Sequence, residues 1–465
     1  MLAEAKARCE VQALGVPPGD VQSLYQRLLP GEYFEQLCQR DKLRENNRVY
    51  NAAVVMWLMI TQRLQGGNLA TSVLELVCGL PPTFWPRPCK RLLPGPNGRH
   101  PRLSANTASY NEARHDLPLD VVEESFDRVF AKLTAEASGT VPEVGGRVFV
   151  VDGTSLRAPH NQELCNAYPP ATNQHGESHW PTLRLLVAHD LHTGLAMRPH
   201  WGPMYGPQAV SEQGLLEETL DRLPSGSTVL ADINFGVFSV AYAADQRGHS
   251  MLLRLQPARA IRLLGGESLQ DRVDRRIQWQ PSRDDRKSHP QLPADASVVG
   301  RLIVRKVRPN NGGEPFLMAL FTTILEAPAE EVVSLYGKRW NIETDLRTLK
   351  SSLQLEQLTC TSPQMVAKEI VTGMLSYNLV RAVTYVAAQA VGAAPRDFSF
   401  TQVRNVVHAF GPRIAAARDP QEAQTIYEDM LYYASRARLP KRRGQRRSYP
   451  RAVWGRPLIF PKRRK

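Results

Sequence analysis

The segment VFVVDGTSLRAP (148–159) contains a short β-strand signal that is followed at once by a carboxylate. Its first residues, Val148–Val151, are β-branched or aromatic and therefore favour a strand, and Asp152 comes next. Thr228–Ala231 is a second run of this kind, and Asp232 follows it. A carboxylate at the carboxyl end of a strand lies at the mouth of an α/β sheet, where binding sites are usually built. Turns also favour aspartate, so a plain turn is the better explanation of either residue taken on its own.

The residues around these two runs alternate between predicted strands and predicted helices, which is typical of a mixed α/β domain. The further predicted elements are strands at Leu183–Ala188, Ala196–Trp201 and Met251–Leu255 and helices at about 211–223, Phe238–Arg247 and Ala329–Leu353. Residues 257–325 contain short β-like runs between polar, charged turns, and they predict a β-rich insertion.

Helical patterns dominate both ends of the chain. The predicted domains are a helical N-terminal domain at 1–135, a core at 145–256 and 326–360, the insertion at 257–325, a helical region at 361–435 and a basic tail at 436–465. The N-terminal helices flank a basic, proline-rich connector at 81–103, which suits either a helix-turn-helix-like DNA-binding unit or a helical accessory domain.

Composition narrows the class of protein. The 465 residues are 42% apolar and 22% charged, as in globular proteins. The longest apolar run, Ala52–Ile60, is about half of what a membrane-spanning helix needs. The six cysteines form no CxxC pair, so neither a zinc ribbon nor a disulfide framework is indicated. We expect a soluble protein of the reducing cytoplasm, associated with the nucleoid.

The formal net charge of +13 is concentrated in the tail. Residues 436–465 contain thirteen Lys or Arg and no acid, while the rest of the chain has 45 basic and 45 acidic residues. Such a block either remains solvated or binds a polyanion. Tyr449, Trp454 and Phe460 are interleaved with the arginines and favour nucleic acid as the partner.

A third carboxylate lies in the segment SLYGKRWNIETDLRTLKSSL (334–353). Tyr336, Arg339, Glu343 and Lys350 have offsets of 0, 3, 7 and 14, which places them within about 60° of one another on a helix. A solvated charged face is the alternative explanation of this stripe.

Three carboxylates brought together would repel one another unless cations neutralised them. Two divalent ions would do so and would suit phosphodiester chemistry. Oxygen ligands favour Mg²⁺ or Mn²⁺ over zinc. Arg339 and Lys350 would then be placed to engage DNA phosphates.

The spacing Tyr336-x2-Arg339-x3-Glu343-x6-Lys350 resembles the Tyr-Arg-Glu-Lys signature of bacterial insertion-sequence transposases, the DDE enzymes of the insertion-sequence-4 type. The stretches VVDGTSLRAP and VLADINFGVFSV are similar to that family's first and second catalytic motifs and occur in the same order. One departure is Ile233, which stands where the family often has arginine.

The resemblance implies a ribonuclease-H-like core that binds two Mg²⁺ or Mn²⁺ ions through Asp152, Asp232 and Glu343. It implies cleavage at the terminal inverted repeats of an insertion sequence and transfer of the 3′ ends to target DNA. Tyr336, Arg339 and Lys350 would contact double-stranded DNA.

The resemblance also implies a homodimer that pairs two transposon ends. Relatives that form a DNA hairpin stack a flipped base on a tryptophan of the insertion. Trp279 is the candidate in this chain, and core packing is its alternative role.

Two other functions remain open at this point. A catalytically silent DNA-binding protein could descend from such an enzyme, although an intact acidic triad argues against it. A related metal-dependent nuclease would use the same triad, so the sequence does not separate it from a transposase.

Overall fold

The computed structural model describes residues 20–42, 48–87, 89, 91–95, 97, 102–137, 144–174, 176–308 and 314–439. Most of the predicted basic tail, residues 440–465, lies outside the described residues.

The N-terminal part is helical, as the sequence predicts. Its helices are α1 (Val21–Leu28), α2 (Gly31–Arg40), α3 (Ala52–Gln65), α4 (Leu69–Cys78), α5 (Ala108–Asp116) and α6 (Leu119–Glu136). The apolar α3 begins where the Asn51 side chain accepts a hydrogen bond from the Val54 amide, and it ends at Gly66, whose φ is +65°.

An eight-stranded mixed sheet and its helices follow, which confirms the predicted mixed α/β fold. The elements of this part are β1 (Val148–Arg157), α7 (Gln162–Ala167), β2 (Thr172–Asn173), β3 (Gly176–Glu177), β4 (Thr182–Asp190), β5 (His200–Pro203), α8 (Glu212–Leu220), β6 (Thr228–Ala231), α9 (Phe238–Gln246), β7 (Ser250–Arg254), α10 (Pro257–Leu263), β8 (Asp274–Trp279), α11 (Arg283–Ser288), β9 (Val298–Val307) and β10 (Phe316–Thr322).

The strands of the large sheet lie in the order β5–β4–β1–β6–β7–β10–β9–β8, and β2 and β3 form a separate two-stranded ribbon. Within the large sheet β1, β6 and β7 are parallel, whereas β4 and β5 run antiparallel on one side. Helix α9 connects β6 to β7 as a parallel crossover. Strands β1 and β6 therefore lie near the middle of the sheet, with both edges distant from them.

The segment predicted as a β-rich insertion supplies β8, β9 and β10. These strands are antiparallel to one another, and β10 pairs with β7. The segment thus extends the central sheet at one edge. The local sequence pattern does not predict this placement, because strand pairing is a long-range property.

The first predicted strand is longer than expected. The sequence suggests that β1 ends at Val151, but it continues to Arg157 and pairs with β4 from Phe149 to Arg157. Asp152 therefore lies inside a strand instead of at its end. Residues 152–155 are only partly buried, so the strand runs out of the core while it keeps its partner.

The prediction of one continuous helix at 329–353 is wrong in one respect. The segment consists of α12 (Ala329–Gly337), a 3₁₀ turn (Lys338–Trp340), α13 (Asn341–Arg347) and a π turn (Thr348–Ser352). The 3₁₀ and π turns change the angle per residue, so the calculated alignment of Tyr336, Arg339, Glu343 and Lys350 on one helical face does not apply to the whole segment. The apolar face is nevertheless buried as predicted, at Leu335, Ile342, Leu346, Leu349 and Leu353.

Three C-terminal helices complete the described chain: α14 (Pro363–Gln389), α15 (Phe400–Ala415) and α16 (Pro420–Arg436). Helix α14 is buried on nearly all sides and contacts α1, α3 and α6 as well as α15 and α16. It therefore joins the N-terminal helices to the C-terminal ones. Among the described residues, no helix is long and apolar enough to cross a membrane.

Candidate active site

Of the two predicted aspartates, Asp152 lies within β1, and Asp232 comes directly after the last residue of the neighbouring parallel strand β6. In the register of β1 and β6, Val148 is opposite Thr228 and Val150 is opposite Leu230. The same register continued by two residues sets Asp152 opposite Asp232. Neighbouring strands are about 4.8 Å apart, so the two carboxylates share one place on the sheet.

The surroundings of Asp152 disfavour its charged form. Burial raises the pKa of Asp152 to about 6, and the negative charge of Asp232 contributes in the same direction. Two interactions oppose this rise, namely the 2.8 Å hydrogen bond from the Gly153 amide and the positive charge of Arg339. The carboxylate of Asp152 is thus short of positive charge, which is a property of cation-binding and catalytic sites.

The turn after β6 holds Asp232 in place. Asp232 Oδ1 accepts a 2.9 Å hydrogen bond from the Asn234 amide. The turn then passes so close to β7 that a Cβ atom at Gly236 would lie 2.2 Å from the Arg254 carbonyl oxygen. The guanidinium of Arg259 donates to the Gly236 carbonyl. Glycine is therefore required there, and the second aspartate is presented by a fixed turn.

The segment at 329–353 brings Tyr336, Arg339 and Glu343 to the same place. Arg339 Nη2 donates to Glu343 Oε1 at 3.1 Å. Tyr336 is buried, and burial raises its pKa to about 12, whereas the neighbouring charge of Arg339 opposes the rise. Because the charge of Arg339 also acts on Asp152 and that of Asp232 acts on Tyr336, these side chains form one electrostatic cluster.

Lys350 and Trp340 lie in the same segment, in its π turn and its 3₁₀ turn respectively. Lys350 lies in the π turn and is half-buried, and it forms no ion pair within the described part of the chain. Trp340 is 65% exposed, and the Arg339 guanidinium lies 5.1 Å from its ring centroid. Sequence analysis missed Trp340, although its position directly after Arg339 in the signature was a usable signal.

The predicted base-stacking role of Trp279 is not compatible with its position. Trp279 is 1% exposed and packs edge-on against Phe321 at 4.8 Å and against Phe238 at 6.0 Å between ring centroids. The indole ring fills the core between α9 and the sheet. Core packing, the alternative role, is the one found.

Asp345 anchors the segment that carries Glu343. Its carboxylate is fully buried and accepts from Arg381 Nη2 at 2.7 Å, from the Tyr377 hydroxyl at 3.1 Å and from Arg396. Burial alone would raise the pKa of Asp345, but the positive charges, with Arg396 foremost, lower it to about 2. Its partners come from α14 and the following turn, so sequence analysis had no local signal for this role.

No group of three or more His, Cys, Asp or Glu side chains in the described ranges is arranged to hold a metal ion. Asp152 and Asp232 are brought together, but Glu343 is paired with Arg339 instead. The Arg339 guanidinium therefore supplies positive charge to Glu343, with which it pairs, and to Asp152, on which its charge also acts.

Comparison with known proteins identifies the family. The family model described as transposase DDE domain matches residues 143–379, which is just over half of the chain and includes all three carboxylates. The chain belongs to the DDE transposase family. This transposase is also similar to transposase InsG for insertion sequence element IS4 of Escherichia coli (strain K12), with 26% identity over 358 residues. The match covers 75% of this chain and 77% of the relative and confirms the predicted insertion-sequence-4 type.

Proposed function

We propose that this transposase cleaves DNA at the terminal inverted repeats of an insertion sequence and joins the 3′ ends to target DNA. Asp152, Asp232 and Glu343 are its catalytic carboxylates in this proposal. The observation that carries it is the pair of aspartates formed by Asp152 on β1 and Asp232 directly after β6, of which Asp152 lacks compensating positive charge.

The core is proposed to be ribonuclease-H-like. Support comes from the mixed sheet, in which three parallel strands follow an antiparallel pair, and from the two helices that pack near β1. Helix α8 contacts β1, β4 and β5, and helix α13 contacts β1. The acidic residues thus come from β1, from the turn directly after β6 and from a helical segment packed beside β1.

The donor chemistry of the three carboxylates suits a pair of Mg²⁺ or Mn²⁺ ions once Glu343 is released from Arg339. The donors are carboxylate oxygens, which these ions prefer, and the raised pKa of Asp152 means that its charged form is undercompensated by the protein alone. Bound ions would supply activation of the attacking oxygen and stabilisation of the leaving oxygen of the phosphodiester. Asp152, Asp232 and Glu343 would hold them.

Glu343 must change partner before it can act as a ligand. Its carboxylate is now engaged by Arg339. An arginine guanidinium pairs as well with a phosphate as with a carboxylate. We propose that a DNA phosphate takes over Arg339 and thereby releases Glu343 towards the two aspartates.

The remaining signature residues are proposed to bind DNA. The buried Tyr336, whose pKa is raised to about 12, carries its hydroxyl proton at neutral pH and can donate a hydrogen bond. Lys350 offers a point charge to the DNA backbone. We also propose a homodimer on DNA, since two transposon ends have to be paired before they are joined.

The test is a cleavage and joining assay with the full-length protein, Mg²⁺, donor DNA carrying the element's terminal repeats and a supercoiled target. The wild type should cut at the repeat tips and yield joined products. Asp152→Asn and Glu343→Gln should abolish cutting and retain repeat binding. Glu326→Gln is the matched control, because Glu326 is 87% exposed and pairs only at the surface with Arg276.

Each alternative function has its own outcome. Cutting without joined products would support a nuclease. Specific repeat binding without cutting in Mg²⁺ or Mn²⁺, by a wild type that is folded, would support a silent DNA-binding protein. Substantial cutting by Asp152→Asn would refute the site assignment.

A further inference from the structure

An arginine on the strand next to β1 has no hydrogen-bond or ion-pair partner among the described residues. Arg184 lies on β4, where it is opposite Ser155 of β1, while Val187 of the same strand is opposite Asp152. Three residues of strand therefore separate Arg184 from the level of Asp152, which is about 10 Å. The guanidinium is thus close enough to contact the backbone of DNA that is bound at the two aspartates.

The side chain of Arg184 is half-buried and its hydrogen-bonding capacity is unused. Its Nε atom is enclosed and has no acceptor, and its other nitrogens form no hydrogen bond or ion pair within the described ranges. Other arginines near these strands are paired, since Arg147 binds Asp190 at 2.8 Å and Arg198 binds Asp127 at 2.9 Å. An enclosed N–H group without an acceptor is costly, so Arg184 points to an acceptor that binds from outside the fold.

The acid whose charge attracts Arg184 is held elsewhere. Glu212 is the first residue of α8, and burial raises its pKa, whereas the charge of Arg184 opposes the rise. Its carboxylate rests on β1, where a Cβ atom at Gly153 would lie 2.5 Å from the Glu212 Cδ atom. In the part of the chain that the structure describes, the two side chains attract each other without forming an ion pair. The guanidinium therefore remains available to another anion.

Incoming DNA needs positive charge at this place. Asp152, Asp232 and Glu212 act on one another as like charges, and each of them repels a phosphate. The residue directly after Asp232 is the uncharged Ile233, so it offers no cation. Arg184 can supply the charge from β4.

We propose that Arg184 binds a phosphate of the transposon-end DNA near the scissile phosphodiester. This inference rests on the proposed function, because it needs DNA at the two aspartates. A planar guanidinium can hold a phosphate through two parallel N–H···O bonds, which would give the unpaired nitrogens their acceptors. At a rise of about 3.4 Å per nucleotide, the separation of about 10 Å places this phosphate within about three nucleotides of the cleavage point.

DNA binding by the full-length protein in EDTA tests the proposal without any cleavage. Anisotropy titrations on repeat DNA at several salt concentrations compare wild type, Arg184→Gln and Arg184→Lys. We expect Arg184→Gln to weaken binding by about tenfold and to lower the salt slope by about 0.9, the contribution of one phosphate. Arg184→Lys keeps the charge but not the planar fork, so its slope should match the wild type while its affinity is lower.

Arg247→Gln is the matched control and should leave both affinity and slope unchanged. Arg247 pairs with Asp221 at the surface. It lies between the end of α9 and the start of β7, at the opposite end of the parallel strands from the two aspartates. Thermal unfolding of each variant checks that it is folded.

Neutral methylphosphonate linkages locate the contact. One linkage at a time is placed within about three nucleotides of the cleavage point, and binding is measured for wild type and Arg184→Gln. The wild type should lose about tenfold in affinity at the contacted phosphate, whereas Arg184→Gln should lose little there because the side chain that binds it is already absent. An arginine that only stabilises the fold would lower affinity without this coupling to one phosphate.

The outcomes separate this inference from the proposed function. A wild-type salt slope in Arg184→Gln, or equal losses in both proteins at every linkage, would refute the role of Arg184 and leave the proposed function standing. Failure of the wild type to bind repeat DNA more tightly than unrelated DNA would instead refute the proposed function.

Discussion

Two aspartates of this transposase, both largely or fully buried, have opposite pKa shifts, and the difference separates a structural charge from a reactive one. Asp345 has Arg381 and Arg396 as direct partners, so its pKa falls to about 2. Burial and the negative charge of Asp232 both disfavour the ionised form of Asp152, so its pKa rises to about 6. A compensated charge stabilises the fold, whereas an uncompensated one costs stability and leaves the residue ready for a cation.

The pH dependence of stability should reveal this cost. Between an unfolded value of 3.8 and a folded pKa of about 6, native Asp152 keeps a proton that the unfolded chain releases. The free energy of unfolding therefore falls as pH rises through this window, by up to about 3 kcal/mol. Asp152→Asn cannot ionise, so it should lack this fall and be more stable than the wild type at pH 7.

Urea denaturation of both proteins in EDTA, at several pH values from 4 to 7, measures the effect. The difference between wild type and variant removes the contribution of other titrating groups. If the two stabilities stay parallel across this range, Asp152 does not carry the proposed uncompensated charge.

At the scale of elements, the segment at 329–353 shows which structural features a periodic sequence pattern predicts. Its buried leucines could be predicted, because burial of one face survives local changes in winding. The 3₁₀ and π turns could not, because the choice between neighbouring hydrogen-bond patterns depends on what the segment packs against. The break places Trp340 outward between two buried stretches.

Two tryptophans should respond in opposite ways to substitution. Trp340→Ala should change stability by no more than about 0.5 kcal/mol, since the ring is exposed, but should weaken repeat-DNA binding by about 1–3 kcal/mol if a base stacks on it. Trp279→Ala should instead lower stability by about 3–5 kcal/mol, because it empties a packed site. Thermal unfolding and fluorescence anisotropy measure the two effects.

Tyr433→Ala is the control for the exposed ring. Tyr433 is 53% exposed on α16 and packs with Phe410 and Tyr432, outside the carboxylate cluster. Its loss should leave DNA binding unchanged. Equal effects of Trp340→Ala and Tyr433→Ala would show that Trp340 has no special contact with DNA.

For the whole molecule, the sequence predicts the order of elements and the family, because the strand, cap and signature patterns are local. It does not predict that the insertion joins the central sheet, that Asp345 pairs with Arg381 and Arg396, or that Glu212 reaches Gly153. Each of these depends on residues that meet only after the chain has folded. The stacking role predicted for Trp279 is wrong because its burial against Phe238 and Phe321 also depends on such long-range packing.

The basic tail should act as a phosphate-binding arm. Residues 440–465 contain eleven of the 58 Lys and Arg and no acid, so their removal lowers the net charge from +13 to +2. Truncation after Leu439 keeps the hydrogen bonds from the Ser399 and Leu439 amides to the Ala437 and Asp397 carbonyls. We expect weaker DNA binding and a flatter salt dependence, by about 0.9 in slope for each phosphate that the tail neutralises in the wild type.

Anisotropy titrations at several salt concentrations measure that slope. A full-length variant in which the eleven basic residues are replaced by serine and glycine separates the loss of charge from the loss of chain. An unchanged slope in either protein would exclude the tail as a phosphate-binding arm.

The position of β8, β9 and β10 has an evolutionary consequence. These strands are added outside β7, on the far side from β5, and they return to the segment that carries Glu343 without passing between β1 and β6. Related proteins can therefore change the length and the surface residues of these three strands without moving Asp152 and Asp232. Variation in this part of the sheet and constancy at the two aspartates are therefore structurally compatible.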